Sequence, residues 1–178
     1  MPTLIFQRER MPTAVGTLIL LTDAQDRLRA LDWEDYDRRM RELLRLHYGV
    51  DVVQWVDRDR PSSVRQRLDA YFAGDLSAID AIPVETRGTP FQREVWSALR
   101  RIPVGQTVSY GALARQIDRP KAVRAVGMAN GANPVGIVVP CHRVIGADAS
   151  LTGYGGGLAR KQWLLEHEGV QNVRQVAA

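Results

Sequence analysis

Gly111-Ala112-Leu113-Ala114-Arg115-Gln116-Ile117, then Asp118-Arg119, then Pro120-Lys121-Ala122-Val123-Arg124-Ala125-Val126-Gly127-Met128-Ala129, is the stretch on which the fold turns. Apolar residues recur at helical spacing on both sides of Asp118-Arg119, and Pro120 stands where a helix start tolerates a missing N–H. Two short helices joined by a tight turn, the second opening Pro-Lys and rich in small side chains, predict a helix-turn-helix. All-helical proteins that never touch DNA carry this pattern too, so it speaks to architecture before function.

Working upstream, residues 91–101 set Phe91, Val95, Trp96 and Leu99 on one helix face, closed by Pro103 and Gly105. A Gly88-Thr89-Pro90 break precedes it. Before that break the pattern changes. Segments 3–8, 16–22 and 27–33 read as strands joined by turns. Residues 35–48 place Met40, Leu43, Leu44 and His47 at helical spacing, and a second helix starts at Pro61 to bury Val64, Leu68, Tyr71 and Phe72. The expected organisation is an α+β scaffold domain over 1–85 and a mostly helical domain over 86–178. No repeat or low-complexity tract interrupts either.

Charge divides along the same line. Residues 1–85 hold 12 Arg against 15 Asp or Glu, net −3, and residues 86–178 hold 12 Lys or Arg against 5 acids, net +7. The basic excess of this 178-residue chain therefore lies wholly in its second half, as a polyanion partner requires, although a soluble surface gives the same sign. Apolar runs are too short for a bilayer, and no charged segment followed by an apolar one opens the chain. The single cysteine excludes an intramolecular disulfide and a multi-thiolate zinc site. The expectation is a cytoplasmic protein with no membrane partner, no metal and no cofactor.

That cysteine sits in Ile137-Val138-Val139-Pro140-Cys141-His142-Arg143-Val144-Ile145-Gly146. A free cysteine is more often a buried small hydrophobe than a nucleophile. Here Pro140 fixes the backbone before the sulfur, and His142 and Arg143 supply the basic surroundings that favour thiolate. An unperturbed thiol has a pKa of about 8.5, so a base is needed at neutral pH. Adjacent side chains rarely point at each other, so His142 is expected to reach Cys141 through a water. It then needs a carboxylate on its other ring nitrogen.

Pro140-Cys141-His142-Arg143-Val144 resembles the active-site signature of the O6-alkylguanine-DNA alkyltransferases, in particular the bacterial single-function type. The likeness extends through Thr89-Pro90-Phe91, Tyr110, Lys121 to Gly127, Asn130 to Pro134, Gly153 to Gly156 and Trp163 to Gly169. Leu31 to Glu34 and Tyr71 to Gly74 resemble that type as well. The resemblance implies a ribonuclease H-like N-terminal domain with a small antiparallel sheet and a winged-helix-like C-terminal domain. It further implies irreversible, stoichiometric transfer of an alkyl group from O6 of a flipped guanine, or O4 of thymine, to Cys141. The implied partner is double-stranded DNA containing alkylated guanine, bound by a monomer, with cooperative loading left open.

The resemblance also distributes roles. Glu168 orients His142, Asn133 ties the recognition helix to the active-site loop, Tyr110 bonds the base's N3, and Lys161 assists proton handling. Val144, Tyr154, Gly155 and Gly156 line the base pocket, where Gly155 replaces the serine of some members and leaves room for larger alkyl groups. Arg124 fills the gap left by the flipped base, while Lys121, Ala122, Val123, Ala125 and Arg143 complete the DNA contact. Read without the resemblance, Glu168 is a solvated residue in a last helical turn, Lys161 a surface lysine, Arg124 a solvent-facing arginine, Tyr110 helix-start packing and Asn133 a turn residue. Three other readings compete. A non-catalytic lesion binder would replace Cys141, a regulator of related type would carry further cysteines, and a cysteine hydrolase would show an oxyanion-hole signature.

Overall fold

In the computed structural model, residues 2–171 and 174–175 are described. The backbone groups into two units, Met1–Arg87 with Pro134–Val138, and Gly88–Asn133 with Val139–Ala178.

The first unit is built on a four-stranded sheet of order β3-β2-β1-β4. β1 (Leu4–Thr13) and β2 (Gly16–Thr22) form an antiparallel hairpin closed where Thr13 pairs with Gly16, whose φ of +133° suits glycine. β3 (Leu28–Trp33) adds antiparallel to β2. β4 (Val53–Asp57) pairs parallel with β1, so the sheet is mixed rather than purely antiparallel as expected. The reason is the connection: helix α1 (Asp37–Tyr48) carries the chain back across the sheet, and β4 enters beside β1 in the same direction. β4 was not among the expected strands although Val53, Trp55 and Val56 are strand formers; it is short and largely exposed at the sheet edge.

β2 has Leu18, Ile19, Leu20 and Leu21 all buried, the mark of a strand covered on both faces. On one face α1 sets Met40, Leu44 and Tyr48, spaced by four, against Phe6, Ile19, Leu21 and Ala30. Leu43 and His47 are half-buried at the flank. α2 (Ser63–Phe72) buries Val64, Leu68 and Tyr71, with Phe72 only half-buried. Ser62 caps it, accepting from Arg65 N, and is itself held by Glu9 of β1, whose carboxylate takes both the Ser62 N–H and hydroxyl. Pro134–Val138 is stitched to β3: Leu31 N donates to the Pro134 carbonyl and Gly136 N to that of Leu31. A segment far along the sequence thus makes an isolated bridge to the edge strand β3.

The second unit opens with α3 (Pro90–Arg100). Thr89 and Gln92 make a reciprocal capping box, with Pro90 at the first turn. Gly88 is required there, because a Cβ would lie 2.7 Å from the Trp96 ring. β5 (Val108–Ser109) leads into α4 (Tyr110–Gln116), capped by Ser109, and α5 (Val123–Gly131) follows. The predicted helix-turn-helix forms, but its second helix starts at Val123 instead of Pro120, which lies with Lys121 in the turn, and Ala122 is the N-cap. Trp96 Nε1 donates to the Ala129 carbonyl at 2.8 Å, locking α3 to α5. A 3₁₀ turn at Cys141–Arg143 runs into β6 (Val144–Ile145), which pairs parallel with β5. β7 (Ser150–Leu151), α6 (Leu158–His167) and β8 (Arg174–Gln175) complete the unit. Among the described residues, no helix is long and apolar enough to cross a membrane.

Candidate active site

Cys141 is half-buried and opens its 3₁₀ turn, its N–H donating to the Val139 carbonyl at 2.8 Å. Pro140 precedes it at φ −81° and ψ 67°, and Arg143 N donates to the Pro140 carbonyl. These short-range bonds, on a backbone stiffened by proline, fix where the sulfur stands. Asn133 Nδ2 donates to the Val139 carbonyl at 2.8 Å, tying the residue after α5 to the approach to Cys141. Asn133 is the residue expected to tie the recognition helix to the active-site loop, and this bond is the contact it makes between them.

Beyond the sulfur, the side chains turn inward. His142 is fully buried, and its Nε2 lies 2.9 Å from Glu168 Oε1. Arg143 donates through Nε to Glu168 Oε2 at 3.0 Å and through Nη2 to Oε1 at 2.9 Å, while Nη1 reaches the Ile102 carbonyl at 2.6 Å. Glu168, expected to be solvated if the resemblance misled, is 4 % exposed. Burial by itself would raise its carboxyl, but His142 and Arg143 hold it well below the usual carboxylate range. An ionised carboxylate only accepts, so His142 Nε2 must carry the proton and Nδ1 the lone pair. Burial pushes the His142 imidazole down from its usual value, more strongly than Glu168 pulls it up, so the fold favours the neutral ring. Nδ1 is buried and has no hydrogen-bond partner among the described residues. A neutral, oriented imidazole with an open acceptor is what a general base requires.

Arg143 departs from expectation. Assigned to the DNA contact, it is 3 % exposed and spends its guanidinium on Glu168 and Ile102, so it cannot reach a phosphate. It is a positioning residue for the Glu168–His142 pair. Nothing in the local sequence distinguishes the two roles, because the partner lies 25 residues away.

Lys161 is not a surface lysine either. Its side chain is buried, and Nζ donates to the Val144 carbonyl at 2.6 Å and the Thr152 carbonyl at 2.7 Å. Burial lowers the ammonium to about 8, and Cys141 acts in the opposite sense, which puts the two within electrostatic reach. The same field favours thiolate. The carbonyls of Ile102, Val139 and Thr152 are site components missed by the sequence reading, since a backbone acceptor leaves no side-chain signature.

The remaining expected residues lie on β6, in the loop before α6 and along the helix-turn-helix. Tyr110 is half-buried at the start of α4 and faces Gly127, where a Cβ would stand 3.8 Å from its ring. Val144 is buried on β6, tied to β5 just before Tyr110. Tyr154 is half-buried, Gly155 exposed and Gly156 buried in the loop before α6. Lys121, Val123, Arg124 and Ala125 are exposed at the start of α5, with Ala122 half-buried. Gly105, at φ +81°, would bring a Cβ 3.1 Å from the Glu168 carbonyl, so glycine is needed where that loop passes Glu168.

Comparison with known proteins identifies the family to which this chain belongs. Residues 90–170 match the family described as 6-O-methylguanine DNA methyltransferase, DNA binding domain, and residues 8–86 its ribonuclease-like domain. The chain is 53 % identical over 161 residues to the methylated-DNA–protein-cysteine methyltransferase of Shigella flexneri, covering 90 % of this chain and 94 % of that one. The Salmonella typhimurium protein of the same name is 55 % identical over the same shares. Among solved structures, Mycobacterium tuberculosis OGT in complex with DNA superposes with a TM-score of 0.75 at 40 % identity, covering 92 % of this chain and 93 % of that one. The chain belongs to the 6-O-methylguanine DNA methyltransferase family.

Proposed function

We propose that this protein repairs O6-alkylguanine, with O4-alkylthymine as a second substrate, by flipping the base from duplex DNA and moving the alkyl group onto its own Cys141. The observation that carries this reading is the sole cysteine placed directly before a buried His142–Glu168–Arg143 cluster whose imidazole is neutral and oriented.

The chemistry follows from the arrangement. Glu168 fixes the tautomer, and His142 Nδ1 draws the Cys141 proton through a bridging water, with Lys161 favouring the resulting thiolate. The thiolate attacks the alkyl carbon. An S–C bond forms, the C–O6 bond breaks, and its electron pair stays on the purine, which takes up the proton released by the thiol. Tyr110, bonding N3, helps the guanine leave neutral. The base reaches the sulfur only after extrusion, at a few kcal/mol of unstacking that a poorly paired lesion lowers. Arg124 fills the vacated place, and Lys121 with the small residues of α5 lets the helix approach the minor groove, whose code is nearly sequence-blind. Val144, Tyr154, Gly155 and Gly156 wall the pocket. The product is a thioether with no labile bond, so each molecule reacts once. DNA in the cytoplasm is the setting this reading assigns.

The test is direct. Protein incubated with an O6-methylguanine duplex is digested and weighed, and the peptide containing Cys141 is expected to gain about 14 Da, the mass of one methylene added to the thiol. No gain in the wild type, or an equal gain in Cys141→Ala, ends the proposal.

A further inference from the structure

Along α5 the surface is not uniform. Arg124, Ala125, Met128 and Gly131 are exposed, their spacing by three and four residues puts them along one side of the helix, and exposed Lys121 stands in the turn just before it. Val126, Ala129 and Asn130 turn the other way and are buried. The other three members of that line are a cation and two small residues. Met128 is neither, and it is 71 % exposed, whereas Met11 and Met40 are 1 % and 2 % exposed. One helical turn separates it from Arg124, roughly 6 Å along the axis. A scattered exposed apolar residue means little. This one lies in line with Arg124 of a helix-turn-helix, flanked by residues too small to shield it.

We infer that Met128 is a DNA-contact residue whose thioether packs against the sugar walls of the minor groove beside the extruded nucleotide. The inference rests on the DNA-repair reading above and adds to it a contact of a different physical kind. Deoxyribose walls are apolar and the same at every base pair, so an apolar contact there carries no sequence preference, as a search for lesions anywhere demands. An unbranched thioether with three rotatable bonds adapts to variable steps, and methionine is among the side chains that minor-groove proteins press against base steps. Because it carries no charge, it displaces no counterion. Its contribution to affinity is therefore insensitive to salt, unlike that of Lys121 or Arg124.

That difference supplies the test. Wild type, Met128→Ala, Met128→Leu and Arg124→Ala are titrated against a fluorescent O6-methylguanine duplex over a series of salt concentrations. Met128→Ala is expected to weaken binding about tenfold at every salt, from lost apolar burial, leaving the slope of log K against log salt as in wild type. Met128→Leu, which keeps the apolar volume, restores most of the affinity, while Arg124→Ala flattens the slope. Wild-type affinity in Met128→Ala, a flattened slope in that variant, or no rescue by leucine overturns the inference. A wild type that does not bind the duplex at all overturns the repair reading beneath it.

Discussion

Replacing Glu168 by glutamine isolates the group on which the site's electrostatics depend. The carboxylate has no solvent exposure and takes three charge-assisted contacts, one from His142 and two from Arg143. Glutamine keeps the shape, but it removes the charge and turns one acceptor into an N–H donor facing other donors. The guanidinium of Arg143, on a side chain 4 % exposed, then keeps its charge with only neutral carbonyls, that of Ile102 and that of the new amide, to answer it. Removing one partner of a buried ion pair costs about 3–5 kcal/mol. For a chain of this size that is about 10 °C in melting temperature, taking 2–4 °C per kcal/mol. Catalysis suffers separately. Without the acceptor on Nε2 the imidazole loses its fixed tautomer, and the loss of an oriented general base is expected to slow transfer about a hundredfold or more. The assay is a thermal melt beside single-turnover transfer to Cys141, with alkylation by iodoacetamide followed against pH to report the thiol. Glu168→Gln should move the alkylation midpoint to higher pH, a change that lost packing alone would not produce. Glu166→Gln, on an exposed side chain of the same helix, should match wild type. A Glu168→Gln protein that melts with wild type and alkylates with an unchanged midpoint would refute the reasoning.

The same groups predict how stability follows pH. The Glu168 carboxyl is held down in the fold, so its stabilisation is full above the unfolded carboxylate value, about 4.3, and is lost as pH falls through the lower folded value; acid melts of wild type should show a loss below that point that Glu168→Gln lacks. Lys161 works in the opposite direction, because its folded value of about 8 lies below the ordinary 10.5. The unfolded chain binds the extra proton between those values, so wild-type stability should gain a component rising with pH across that window, and Lys161→Met should lack it in denaturant titrations. Gly155 in the pocket wall predicts similar transfer rates for O6-ethyl and O6-methyl lesions, measured in parallel single-turnover reactions; a methyl preference of many orders of magnitude would contradict it.

Residue order alone reached far in the second half of the chain. The Gly88-Thr89-Pro90 break before α3 is a local signal and formed where its chemistry predicts, whereas the turn at Asp118-Arg119 runs on through Pro120 and Lys121, so α5 starts three residues later than Pro120 suggested. Cys141 and its basic neighbours were likewise legible, because they are contiguous. The hidden features are all non-local. β4 pairs with β1 across nearly 50 positions, so no window of sequence contains the interaction that makes it a strand. The Pro134–Val138 segment bridges to β3, which ends about a hundred residues earlier, and was hidden for the same reason. Arg143 looked like a phosphate ligand and Lys161 like either a surface or a site lysine, since a charged side chain does not announce whether its partner is solvent, DNA or a distant carboxylate. Burial and partner decide that, and both are properties of the packed chain: the sequence carried the nucleophile and its base, and only tertiary packing made the imidazole neutral, the carboxylate ionised and the arginine a support instead of a contact.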